Sequence, residues 1–176
     1  MGIFLFFSNK ILIFRANSDR RILTFRAKNS YFSCQVTPGI PLALSLLDSE
    51  KYRFTLIERM GKRAGFLRNT KAILGLSRVT IEEREMEQSP QGRFHLITFR
   101  AFRPLEPKLL TSLFRLLVPG GALFAYKGRQ DTITAEMHRV EAALGSWEQI
   151  PLWIPFLAEE RHLVVLRPPL QETGSR

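Results

Sequence analysis

A single cysteine, Cys34, leaves this chain unable to close an internal disulfide, so a reducing compartment is expected. With only His95, His138 and His162 beside it, no zinc ligand set of the usual spacing exists, and no metal is expected. Long apolar runs are also lacking. Residues 1–14 are apolar but too short to span a bilayer, and they have neither a basic lead-in nor a small-residue cleavage site. A cytoplasmic protein without membrane association is the expectation. There is no G-x-S-x-G elbow, no G-x-x-x-x-G-K-S/T loop and no H-E-x-x-H pair, which sets aside the reactions those motifs carry. Glycine is missing too: none occurs between Ile3 and Pro38.

Acid is outnumbered. Against 26 Lys and Arg stand 16 Asp and Glu, so the chain carries +10, which favours a polyanionic partner such as nucleic acid. The plainer alternative is a basic but otherwise ordinary enzyme surface. At 176 residues and 45% hydrophobic content, the chain suits one globular domain with a real core, and a monomer is the working expectation.

Residues 1–36 differ in composition from the rest of the chain, holding six of the fourteen Phe. Within them Ile11–Phe14 and Ile22–Phe25 are candidate strands without persuasive turn chemistry around them. From Pro38 the punctuation becomes regular. Pro41–Leu47 reads as a short buried helix and Phe54–Glu58 as a strand ending in a carboxylate. Met60–Leu74 reads as a helix with Met60, Ala64, Leu67 and Leu74 inward, capped by Gly75. Val79–Ile81 and Phe94–Phe99 come next as strands, the second ending at Arg100. A helix introduced by Pro104 and Pro107 runs through Leu117, and Pro119-Gly120-Gly121 reads as a turn. Ala122–Tyr126 is a strand closing on Lys127-Gly128, and Thr132–Leu144 a helix. Pro151–Phe156 and His162–Leu166 are expected as a final antiparallel pair. Strands alternating with helices predict an α/β fold, a mostly parallel sheet with helices on both faces.

In such a sheet ligands bind outside the carboxyl ends of the strands. Glu58 stands there, and one carboxylate accepts hydrogen bonds from both hydroxyls of a ribose diol. Read alone, it is equally a surface glutamate after a strand. Arg100 closes an apolar strand, a place where a merely solvated charge is less easily explained. Lys62, Arg63, Arg68 and Lys71 gather on one helix, and Lys127, Arg161 and His162 lie at later strand ends. These residues are candidate holders of RNA phosphates, which position a substrate without reading its sequence. A solvated face is the alternative, and His162 alone is more often structural.

Six segments, PGIPLAL, LIERMGKRAGFLRNTKAILGL, REMEQ, ITFRAF, PGGALFAYKG and EERHLVVL, resemble the RsmG (GidB) family in order and spacing, over Pro38 to about Leu166. That resemblance implies a Rossmann-like S-adenosylmethionine-dependent methyltransferase sheet. It also implies methylation of guanine N7 in 16S ribosomal RNA, as naked RNA or in the small ribosomal subunit. By the same resemblance Thr37, Gly39, Glu58, Glu85, Met86 and Arg100 bind the cofactor, and residues 37–170 form the methyltransferase domain with 171–176 as a tail. No catalytic acid or base is implied: guanine N7 offers a lone pair, so positioning suffices.

The resemblance stops at Thr37. The family's glycine-rich run, D-x-G-x-G-x-G-x-P-G, would place its acid at Ser30 and its glycines at Phe32, Cys34 and Val36. Those glycines let the backbone take positive φ close to the cofactor, which β-branched Val36 resists and the bulk of Phe32 obstructs. Taking Arg21–Phe25 as the first strand does not restore a glycine. The first strand and its loop therefore read as degraded, and residues 1–36 are expected to derive from a shifted frame or wrong start, with a genuine but unusual variant as the alternative. Impaired cofactor binding is the consequence. The rival readings are a basic RNA-binding module that lost the cofactor, and a methyltransferase for a small molecule.

Overall fold

The computed structural model describes residues 2–6, 39–46, 52–100 and 104–169. Seven strands form one sheet: β1 (Gly2–Phe6), β2 (Arg53–Ile57), β3 (Val79–Glu82), β4 (Phe94–Arg100), β5 (Leu117–Lys127), β6 (Ser146–Pro151) and β7 (His162–Arg167). Their order is β3-β2-β1-β4-β5-β7-β6. The first five run parallel, β7 is antiparallel to β5, and β6 is antiparallel to β7. Four helices accompany them among the described residues: α1 (Gly39–Ser45), α2 (Gly61–Ile73), α3 (Pro107–Phe114) and α4 (Gln130–Val140).

The central strands are buried on both faces, so they read as continuous apolar runs rather than as alternation. Successive residues still point to opposite sides. Ile57, Ile97, Phe99, Leu123 and Ala125 pack with the α3 and α4 residues Leu110, Leu113, Ile133 and Met137. Their neighbours Leu56 and Leu96 join Leu42 of α1 and Leu67 of α2 on the other face. The expected α/β architecture is present.

Several boundaries differ from the sequence reading, each for a physical reason. On α2 only Ala64 and Leu67 are fully inward; Met60 is 45% and Leu74 42% exposed. Both lie outside the helix, as its N-cap and C-cap residues, so helical spacing does not fix where they point. Gly75 takes the left-handed conformation, φ +62°, and turns the chain so that Leu76 enters the core instead. α3 stops at Phe114, before the expected Leu117.

Pro119-Gly120-Gly121 is not a turn between elements but part of β5. The register passes from Phe94↔Leu117 to Leu96↔Ala122, so the extra residues bulge out of the ladder. Gly120 supplies φ +78°, and a Cβ on Gly121 would lie 3.0 Å from the carbonyl oxygens of both His95 and Val118. The penultimate strand is Ser146–Pro151, not Pro151–Phe156. As an edge strand it buries none of its side chains fully, so no apolar run announces it.

Gly2–Phe6, an interior strand between β2 and β4, is one the sequence reading does not assign. The candidate strands Ile11–Phe14 and Ile22–Phe25, and the loop positions Ser30, Phe32, Cys34 and Val36, lie outside the described residues.

Candidate functional site at the carboxyl edge of the sheet

The strand order reverses direction at β1, which pairs with β2 on one side and β4 on the other. A crevice outside the carboxyl ends at such a switch point is where open α/β sheets take ligands. Glu58 comes directly after β2 and Arg100 ends β4, so the two expected residues flank the end of β1.

Glu58 is 2% exposed, and its backbone N–H donates to the Glu82 carbonyl at 3.0 Å, extending the ladder one residue past β2. One carboxylate oxygen, Oε1, accepts the Met60 backbone N–H at 2.9 Å. The other, Oε2, is buried and has no partner. Burial pushes the carboxyl above its usual pKa, against the Met60 hydrogen bond and the Arg63 charge, which pull it down. An acceptor in this state suits a neutral hydroxyl donor.

Arg100 is half-buried and its Nη1 likewise lacks a partner. Burial and the nearby Arg161 charge lower its pKa from the usual guanidinium value. Buried polar atoms are seldom left unsatisfied, so two of them flanking the end of β1 make this edge a candidate ligand site.

The remaining expected residues occupy varied surroundings. Gly39 is buried and opens α1, while Thr37 lies outside the described residues. Glu85 is half-buried, with Arg59 3.7 Å from its Oε1. Met86 starts a 3-10 turn with its side chain 2% exposed in the core. Ser89, at the end of that turn, holds a buried unpartnered hydroxyl that the sequence reading missed.

Among the basic candidates, Lys62 and Arg63 are exposed on α2. Arg68 is exposed too, but bonded to Glu83 at 2.5 Å. Arg161 is half-buried and donates to the Glu160 carbonyl at 2.6 Å.

Two expectations need correction. The Lys127 ammonium contacts Glu136 Oε2 at 2.7 Å, with the two side chains only 17% and 7% exposed, so it is committed inside the protein. His162 is 6% exposed with Nδ1 2.6 Å from the Gly128 carbonyl oxygen, and it fastens β7 to the end of β5 rather than facing solvent. The signal that could have warned of the first was Glu136 itself, an acid on the apolar face of α4 beside Ile133 and Met137.

Comparison with known proteins bears on the family and the fold. The family model for rRNA small subunit methyltransferase G (GidB) matches residues 36–164. This chain belongs to that family. The ribosomal RNA small subunit methyltransferase G of Treponema denticola is 39% identical over 134 residues, covering 75% of this chain and 53% of that protein. That of Cellvibrio japonicus is 34% identical over 134 residues, covering 74% and 58%. The chain thus spans little more than half the length of these curated relatives. Among solved structures, a methyltransferase from Pyrococcus furiosus superposes with TM-score 0.56 at 17% identity, covering 72% of this chain and 68% of that one. A SAM-dependent methyltransferase from Aquifex aeolicus gives 0.54 at 13%, covering 72% and 74%. At such identities the likeness concerns the fold.

Proposed function

We propose that this chain binds S-adenosylmethionine in the crevice beyond β1 and serves methylation of guanine N7 in 16S ribosomal RNA, in the cytoplasm. The observation that carries the reading is the pair of buried, unpartnered polar atoms across the end of β1, Glu58 Oε2 and Arg100 Nη1. An orphaned carboxylate oxygen at that position fits a ribose hydroxyl, so Glu58 would hold the sugar. Glu85 and Met86 would border the base, Thr37 and Gly39 the amino-acid end. When bound, the cofactor supplies a methyl group on a positively charged sulfur.

The protein's share of the work is orientation and exclusion of water. Guanine N7 needs no deprotonation, and a site without a general base is compatible with that substrate. Lys62 and Arg63, exposed on the helix after Glu58, would meet RNA phosphates, with Arg161 across the crevice. The side chains of Phe32, Cys34 and Val36 would weaken cofactor binding.

Calorimetry with S-adenosylmethionine on the full chain and on the Phe32→Gly, Cys34→Gly, Val36→Gly triple variant tests this, together with an assay of methyl transfer to 16S ribosomal RNA. Weak binding by the chain and tighter binding with transfer by the variant are expected. A variant that neither binds nor transfers overturns the reading. Low-micromolar binding by the unaltered chain removes the impairment but leaves the activity standing.

A further inference from the structure

The loop joining β6 to β7 displays two aromatic side chains that the fold does not use. Trp153 is 76% exposed and Phe156 108%. The loop is otherwise well held: the Leu152 N–H donates to the Arg161 carbonyl at 2.7 Å, and Ile154 is buried beneath it. Its tip is a turn closed by the Leu157 N–H donating to the Ile154 carbonyl at 3.2 Å, with Pro155 in second place. Phe156, in third place, has φ +65°, the only positive φ outside glycine among the described residues. Proline before a residue of positive φ is the signature of a type II turn, whose third place favours glycine. A large aromatic residue there is strained, and its ring gains no burial in return.

The location gives these rings a use. His162 pairs with Lys127 at the carboxyl end of β5 and with Pro151 at the end of β6, so the loop leaves the sheet at the same edge as Glu58 and Arg100. Arg161, at the base of the loop, acts electrostatically on Arg100. Single-stranded RNA is recognised largely by splayed bases stacking on aromatic side chains beside a basic surface.

We propose that Trp153 and Phe156 form a platform on which an unpaired base of the RNA substrate stacks next to the crevice. The proposal rests on the RNA reading above. The carboxylates nearby are largely engaged: Glu160 accepts the Gln130 N–H at 2.9 Å and Asp131 meets Arg129 at 2.5 Å, while Glu159 remains exposed. The net charge of +10 outweighs it.

The test uses the full chain, Trp153→Ala and Phe156→Gly, titrated with a fluorescent, unstructured single-stranded RNA oligonucleotide and with an abasic version of it. Each substitution should weaken binding to the first by about tenfold, the scale of one stacked base, and leave the salt dependence unchanged because no charge is lost. On the abasic strand the variants and the parent should bind alike. Phe156→Gly should keep or raise the melting temperature, since glycine adopts the turn without strain. Parent-like RNA binding by both variants overturns the platform and leaves the RNA reading intact. Absence of RNA binding by the parent overturns both. Self-association in sedimentation that the substitutions abolish would assign the rings to a second copy of the chain and overturn the platform as well.

Discussion

Glu136 grips two elements at once: Oε2 lies 2.7 Å from the Lys127 ammonium and Oε1 accepts the Leu105 backbone N–H at 2.8 Å. One carboxylate from α4 thereby ties the end of β5 to the segment beyond Arg100. Removing one partner of a buried pair leaves the other charge uncompensated, which typically costs about 3–5 kcal/mol. Glu136→Ala should lose stability on that scale in urea unfolding, and Glu136→Gln less, because an amide oxygen can still accept from Leu105. Equal stability of Glu136→Ala and the parent would contradict the arrangement.

Glu58 sets stability against binding. Its folded-state pKa is raised by burial, so between the ordinary carboxylate value and the raised one the folded chain holds a proton that the unfolded chain has released. Stability contributed by this group therefore falls as pH rises from the ordinary carboxylate value through the raised one. Glu58→Gln should flatten that decline and leave the protein at least as stable at neutral pH. In a chain with the loop glycines restored, the same substitution should weaken cofactor binding in calorimetry by about 1.5–3 kcal/mol, the scale of a hydrogen bond to a charged group. A loss of stability without loss of binding would make Glu58 a structural residue.

Arg100→Ala removes a guanidinium whose Nη1 has no protein partner, so the fold forfeits little by its loss. In a chain with the loop glycines restored, methyl transfer should drop at least tenfold while the melting temperature stays close to the parent's. Unchanged transfer would move the site away from the end of β4.

Salt dependence separates Lys62 from Lys127. Each phosphate contact on a single strand contributes about 0.7 to the slope of log affinity against log salt. Lys62→Ala should lower the slope by about that amount and leave folding intact. Lys127→Ala should destabilise the protein, since it orphans Glu136, with the slope unaltered. If the Lys62 slope stays at the parent value, that face of α2 is solvated surface.

The strands carrying Glu58 and Arg100 were legible because each is an apolar run of strand length ending abruptly in a charge. Their side-chain environment was not, since it depends on Met60 closing back on Glu58 and on Arg161 coming near Arg100. Ser146–Pro151 escaped notice because an edge strand needs no apolar face of its own. Pro119-Gly120-Gly121 carries turn chemistry and does bend the chain, but pairing with β4 resumes in the same strand. Lys127 and His162 looked like surface charge because their partners come from elsewhere in the chain, Glu136 on α4 and the Gly128 carbonyl after β5.

The placement of Gly2–Phe6 has a consequence for how the molecule is made. Ile3 lies opposite both Phe54 and Leu96, and β2 and β4 have no ladder of their own. Gly2–Phe6, which precedes both partners in the chain, must therefore wait for Phe94–Arg100 before the sheet can join its two halves. Such distant pairing closes large loops and makes for slow folding. A nascent chain halted before β4 would hold β1 with one edge open, a template for pairing with neighbouring chains. Translation speed through residues 53–100 would then set how long that edge stays bare.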